Sequence, residues 1–152
     1  PTSTAAQVKN FREQGGWGTE ACAGIKKYGI ATMSTWANCS MDRSLPSKPE
    51  VIEDSFKNNI VEFEDLGHDP FESMMSCLLD PVHAAPCTAG YNWWGHLVLA
   101  LKAVKVEGEW GVLIANSWSA NWGQEGYAIL VGERARPVES VRVGRIKPRS
   151  DV

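Results

Sequence analysis

The apolar residues of this chain change their spacing near residue 96, and this change limits the folds that it can adopt. Before it, apolar residues recur at helical spacing, most clearly from Phe71 to Leu79, at i, i+3, i+4, i+7 and i+8. After it come four strand-like segments with short links, over 96–106, 109–115, 126–132 and 139–146. Consecutive strands with no helix between them pair antiparallel. The sequence therefore predicts an α+β class, with helices first and a β-rich part second.

Local signals place helices in the first part. We predict helices over about 3–14 and 19–28, another that begins at Ser47 and closes at Asn58, and one that begins at Asp69 and stops at Pro81. In the third, Ser47 is predicted to cap the helix and Val51, Ile52 and Phe56 to face inward. A short strand is predicted over 60–63.

Size and composition exclude several classes of protein. A chain of 152 residues with 43% hydrophobic residues predicts one globular domain. No apolar run approaches the roughly 18 residues that a membrane helix requires. A net charge of −3 argues against a nucleic-acid partner. The first residues lack a signal-peptide pattern, so the sequence assigns no compartment.

The cysteines carry no recognisable metal or redox motif. They are Cys22, Cys39, Cys77 and Cys87. None forms a C-x-x-C pair. A zinc site of Cys77, His83, Cys87 and His96 is an alternative whose spacing fits no standard pattern. Reduced, mostly buried thiols are favoured, and one or two disulfides stay open in an oxidising compartment.

A histidine and an asparagine stand at neighbouring ends of two predicted strands. His96 begins one strand, after Gly95, and Asn116 follows the next. Antiparallel pairing lets the two side chains meet, and an amide oxygen can then hold the imidazole in one tautomer. Trp118 can shield that bond from water. From spacing alone, a satisfied core histidine is the favoured interpretation.

The residues around this pair resemble motifs of one enzyme family. Residues 116–127, NSWSANWGQEGY, resemble the asparagine motif N-S-W-G-x-x-W-G-x-x-G-Y of papain-like cysteine peptidases. The stretch GHLV at 95–98 resembles the family's histidine motif. Residues 15–30, from Gly-Gly-Trp to Tyr-Gly-Ile, resemble its glycine segment, helix and turn. The resemblance extends over about residues 8–132, and the stretches 8–18 and 91–96 are most similar to papain-type domains encoded by tailed bacteriophages.

The resemblance implies a fold and a set of roles. It predicts a helical part with a loop over 1–46 and a β half-barrel with two helices over 47–152, together one incomplete papain-like domain. His96 would pair with a thiolate, and Asn116 would orient it. The supporting residues would be Trp118 as a shield, Trp122 on the leaving-group wall, and Gly15, Gly16 and Gly95. No metal and no cofactor is implied.

The chain departs from the family pattern at the nucleophile. The family's cysteine begins a central helix upstream of the glycine segment, and we expect that helix to be absent here. Gln14 and Cys22 mimic the family's glutamine and cysteine, but with a longer separation, so Cys22 is only a weak candidate nucleophile. Ser119 also replaces a family glycine.

Two functions follow as hypotheses. The first is a structural or assembly role, in a phage particle, with another protein chain covering the surface that the absent helix leaves. The second is the C-terminal part of an active cysteine peptidase that acts on peptides, its cysteine and oxyanion glutamine supplied by another chain or a cleaved segment. The sequence leaves open whether the chain is an enzyme.

Overall fold

The computed structural model describes residues 2–11 and 15–146, in which one strand lies between the third and fourth helices and the other strands follow the fourth helix. The helices are α1 (Thr2–Val8), α2 (Gly18–Tyr28), α3 (Pro49–Lys57) and α4 (Pro70–Leu79). The strands are β1 (Ile60–Asp65), β2 (Cys87–Tyr91), β3 (His96–Val106), β4 (Glu109–Ala115), β5 (Tyr127–Val131) and β6 (Glu139–Ile146). The predicted α+β class is confirmed. None of the helices in the described ranges is both long and apolar enough to cross a membrane.

The strands form one six-stranded sheet. Their order is β1-β6-β2-β3-β4-β5, and the pairs β6–β2, β2–β3, β3–β4 and β4–β5 are antiparallel. The chain divides into two compact units, Pro1–Phe63 with Gly144–Val152 and Glu64–Val143. This boundary passes within β1 and β6. The predicted single domain over 1–152 stays a prediction.

The second unit is built around α4 and the central strands. Asp69 caps α4 by accepting a hydrogen bond from the backbone of Glu72, as the sequence predicts. The core of this unit consists of Leu66, Phe71, Met74, Met75, Leu78, Cys87, Ala89, Tyr91, Val98, Ala100, Ala103, Val112, Ile114 and Ala135. Small residues on β2 and β3 leave room for the long side chains of α4.

Two predictions about helix ends are wrong, one at the end of α1 and one at the start of α3. Helix α1 ends at Val8, because Asn10 and Phe11 adopt left-handed φ angles of 49° and 60° that close the turn. Residues 12–14, which the predicted helix included, lie outside the described residues. Ser47 does not cap α3; Lys48 holds the cap position, and the Ser47 hydroxyl donates to the Ser44 carbonyl.

The predicted inward face of α3 is also wrong in part. Val51 is buried, but Ile52 and Phe56 are exposed. The helix buries the stripe that contains Val51 and Ser55, four residues apart, and positions 52 and 56 are rotated by about 100° from it.

Asp54 connects α3 to the loop after α2 within the first unit. Its carboxylate accepts hydrogen bonds from the Thr32 backbone at 2.7 Å, from the Thr32 hydroxyl at 2.8 Å and from the Thr35 hydroxyl. Partial burial raises the pKa of Asp54, but the bonds from Thr35 and Thr32 outweigh it and hold this pKa below its ordinary value.

We expect Asp54→Asn to lower the free energy of unfolding by about 1–2 kcal/mol at pH 7, because charged acceptors form stronger hydrogen bonds. Since the pKa is lower in the folded state, Asp54 stabilises the fold above the unfolded-state value of about 4 and loses that effect as the pH falls through the folded value. Urea unfolding measures the free energy of unfolding of wild type and Asp54→Asn. The difference between the two proteins should be smaller at pH 3 than at pH 7. Glu53→Gln, in the exposed pair with Lys57, is the control. Equal stability of wild type and Asp54→Asn at pH 7 would contradict this role.

Candidate active site

One irregularity in the β3–β4 pairing sets the geometry of the site. Lys102 lies opposite Leu113, but the register then shifts, and Ala100 lies opposite Ile114. Leu101 is thus an extra residue on β3, a β-bulge. Beyond the bulge, buried Ala100 and buried Ile114 share the core-facing side of the sheet.

The bulge places the predicted pair on one face. Two residues past Ala100 and Ile114, the same register puts Asn116 opposite Val98, and side chains two apart on a strand share a face, so His96 lies on it too. Without the bulge, Asn116 would lie opposite Leu99, on the other face.

His96 and Asn116 form the hydrogen bond that the sequence predicts. The distance from His96 Nε2 to Asn116 Oδ1 is 2.8 Å. An amide oxygen only accepts, so Nε2 carries the proton, and Nδ1 is the acceptor nitrogen of the neutral ring. The Asn116 backbone N–H donates to the Gly126 carbonyl at 2.9 Å, which fixes the start of the loop. The pair can therefore present a basic nitrogen in a defined direction.

The loop over 116–127 is held by its own backbone. Trp122 donates to the Ser119 carbonyl at 3.2 Å, and Gly126 donates to the Trp122 carbonyl at 2.8 Å. Gly123 has φ 59°, and a methyl group there would collide with the Tyr127 carbonyl. The Ser119 hydroxyl accepts a bond from the Asn121 backbone at 3.2 Å, so serine serves this turn in place of glycine.

Two indoles contact the imidazole, and a third packs against both of them. The Trp118 centroid lies 4.8 Å from that of His96, and the indole is 56% exposed. The shielding role predicted for Trp118 stays a prediction. Trp94 approaches the imidazole at 5.0 Å with an interplanar angle of 63°. Trp122 contacts Trp94 at 5.6 Å and Trp118 at 6.1 Å. Sequence reasoning gave Trp94 no individual role. Its signals were its position two residues before His96 and its place among four tryptophans, with Trp93, Trp118 and Trp122, that suggested a shaped surface.

In the second unit, Cys87 belongs to the core and half-buried Cys77 packs against that core. Cys87 lies opposite Ala100, four positions along β3 from His96 and about 13 Å away. The pKa of the Cys87 thiol is raised to about 12. Burial is the largest cause, and the neighbouring Cys77 is the second. All four cysteines carry thiols rather than disulfides. Within residues 2–11 and 15–146, no group of three or more His, Cys, Asp or Glu side chains could hold a metal ion.

The remaining predicted site residues lie in other places. Gly95 is exposed in the hairpin before His96, with φ 61°. Gly15 and Gly16 are exposed just before α2, and Cys22 is buried within α2, all in the first unit. Gln14 lies outside the described residues. The catalytic roles predicted for all these residues stay predictions.

Comparison with known proteins identifies the fold. No protein-family model and no curated protein sequence matches the chain. The digestive procathepsin L 3 of the Tenebrio molitor larval midgut matches with a TM-score of 0.69 and 17% identity over 92% of this chain. The chain has a papain-like fold.

Two further structures agree. The bromelain protease of Ananas comosus has a TM-score of 0.61 and 17% identity, over 84% of this chain and 68% of its own. A structure from work on the mite allergens Blo t 1 and Der p 1 has a TM-score of 0.65 and 16% identity over 93% of this chain. This chain spans 53% of the Tenebrio chain and 53% of the mite-allergen chain. The predicted papain-like α+β architecture is confirmed.

We expect thiol alkylation to separate the cysteines by exposure and pKa. In the folded protein at pH 8, iodoacetamide should modify exposed Cys39 and spare Cys87, because only the thiolate reacts and burial disfavours it. Peptide mass spectrometry over a time course measures both rates, and all four cysteines should react after unfolding in guanidinium. Equal native rates at Cys39 and Cys87 would show that Cys87 is not a core thiol.

Proposed function

We propose that this chain provides the histidine and asparagine of a papain-like cysteine peptidase that hydrolyses peptide bonds. The observation that carries the proposal is the 2.8 Å bond from His96 Nε2 to Asn116 Oδ1, with the Trp118 ring 4.8 Å from the imidazole. The fold adds support, because the bromelain protease shares it and is bound by the inhibitor E64 in its structure.

The proposed reaction uses His96 to carry two protons, one from the thiol to the departing amine and one from water to the departing sulfur. Nδ1 takes the proton of a cysteine thiol, and the thiolate sulfur bonds to the substrate carbonyl carbon. As the C–N bond breaks, the imidazolium gives its proton to the departing amine and leaves a thioester. Water then attacks the thioester with His96 as general base, which releases the acid and restores the thiol. Throughout the reaction, Nε2 of His96 stays hydrogen-bonded to the Asn116 oxygen, so Nδ1 is the nitrogen that takes up and releases protons.

In this proposal the thiol comes from polypeptide outside these 152 residues, in the same protein or in a partner chain. Cys87 is excluded by its distance along β3 and its raised pKa, and half-buried Cys77 packs against the same core. Within the chain, Cys22, buried in α2, is the alternative that the sequence offers, and Cys39 is an exposed thiol of the same unit.

Covalent labelling tests both the reaction and the source of the thiol. The full-length protein is treated with a biotinylated epoxide of the E64 type, and the modified residue is located by mass spectrometry. We expect a label on a cysteine outside the 152 residues. A label on Cys22 or Cys39 would overturn the proposed source of the thiol, and the absence of any label would overturn the peptidase proposal.

Histidine variants show whether the labelling depends on this site. His96→Ala should slow labelling by about 10²-fold or more, because the general base is lost. His83→Ala is the matched control, since its side chain is 70% exposed and lies beside Asp80. A similar slowing in both variants would contradict a specific role for His96.

Removal of the orienting amide should lower turnover rather than affinity. We expect Asn116→Ala to reduce kcat on a fluorogenic peptide by about 10²-fold, with a small change in KM, because the imidazole loses its fixed orientation. Asn121→Ala, in the same loop, keeps the backbone bond to Ser119 and is the control. Unchanged kcat in Asn116→Ala would show that Asn116 does not orient His96.

A structural or assembly role is the second candidate. The placement of Cys87 in the core, with Cys77 packed against it, favours this role, because the second unit then supplies no thiolate of its own and a site without its nucleophile retains little activity. In this role another protein chain would cover the surface that the family's central helix occupies. A phage particle is the setting that the sequence resemblance suggests. The labelling experiment separates the two candidates.

A further inference from the structure

The hairpin between β2 and β3 turns one indole back onto the first residue of β3. Tyr91 lies opposite His96, and its carbonyl accepts bonds from the backbone of Trp94 at 3.2 Å and of Gly95 at 2.7 Å. Gly95 has a left-handed φ of 61°, and no atom lies within 4 Å of a Cβ placed there. Glycine is therefore favoured here by the left-handed backbone of the turn rather than by lack of space. This turn places Trp94 beside the imidazole.

The rings of Trp94, Trp118 and His96 all contact one another. The centroid distances are 5.0 Å from Trp94 to His96, 4.8 Å from Trp118 to His96 and 5.5 Å from Trp94 to Trp118. Edge-to-face and tilted contacts at these separations are favourable aromatic geometries. The imidazole therefore has an indole on two sides as well as the Asn116 oxygen.

Of the two indoles, Trp94 is the more firmly held. It stacks on Trp122 at 5.6 Å and 23°, and on Trp93 at 5.4 Å and 14°, and it packs against the buried core. The Arg134 guanidinium lies 5.5 Å from the Trp93 ring and extends this column of rings. Trp118, by contrast, is more than half exposed.

We propose that Trp94 is a positioning residue that holds the His96 imidazole against Asn116. Trp94 is the fixed wall and Trp118 the outer cover. Without the wall, the ring can rotate about its side-chain bonds away from the Asn116 oxygen. The kinetic consequence rests on the proposed peptidase function, whereas the placement of the ring does not.

The first test observes the ring directly. In full-length protein labelled with [¹⁵N]histidine, the His96 Nε2–H should give a downfield signal that exchanges slowly with water, and Asn116→Ala identifies it by abolishing it. Trp94→Leu should broaden the signal through fast exchange, and Trp94→Phe, which keeps an aromatic ring, should retain it. Trp110→Leu is the matched control, because Trp110 lies opposite Lys105 at the other end of β3.

The outcomes decide the proposal. A sharp His96 signal in folded Trp94→Leu would overturn it. If Trp94→Leu does not fold, Trp94→Met replaces it with a long apolar side chain that has no ring, and a sharp signal there would overturn the proposal equally. Loss of the signal in Trp110→Leu would show a general loosening of the sheet and would also overturn it.

The second test applies to the active protein. Trp94→Leu should lower kcat by about 10- to 100-fold with little change in KM, and Trp94→Phe should recover most of it. A change in KM alone would make Trp94 a substrate-binding wall and would overturn a positioning role. If the full-length protein has no peptidase activity, the imidazole signal still decides whether Trp94 holds His96.

Discussion

The hydrogen bond between His96 and Asn116 is the interaction on which the candidate site depends. It joins side chains from the beginning of β3 and the end of β4, so it exists only while those strands keep their register. The bulge at Leu101 sets that register, because a shift of one residue would turn Asn116 to the opposite face. A local irregularity in backbone pairing thus determines whether this sheet can carry a histidine–asparagine pair.

A single neutral hydrogen bond contributes only about 0.5–1.5 kcal/mol, which does not by itself hold a ring in one orientation at a half-exposed position. The structure adds other restraints. The Asn116 backbone is tied to Gly126, and Trp94 and Trp118 contact the imidazole on two sides. Aromatic contacts contribute about 0.5–1.5 kcal/mol each beyond their burial, so they are comparable to the bond that they protect.

The sequence predicted the strands that are long and rich in Leu, Val and Ile. The bounds of β3, β4 and β6 agree with the predicted segments. It missed β2, Cys87–Tyr91, because Ala89 and Gly90 have low strand propensity and their place in the sheet comes from their neighbours. A Cβ at Gly90 would lie 3.3–3.4 Å from the side chains of Glu139 and Leu97, so packing on both sides favours a small residue here.

At the site, the predictable and unpredictable parts have different physical origins. Asn116 and Trp118 lie in one continuous motif, so their closeness to each other is a local property of the chain. Their contact with His96 depends on the bulge at Leu101, which no residue between 99 and 102 signals. The role of Trp94 depends on the shape of a four-residue hairpin, and two adjacent tryptophans gave no means of choosing between them.

The central claim is that the second nitrogen of His96 faces a reactive thiol. A crystal structure of the full-length protein tests it most directly. The account predicts a cysteine sulfur within hydrogen-bond reach of His96 Nδ1 while Nε2 stays bonded to Asn116. An Nδ1 atom that faces only solvent or apolar side chains, with no sulfur nearby, would contradict it.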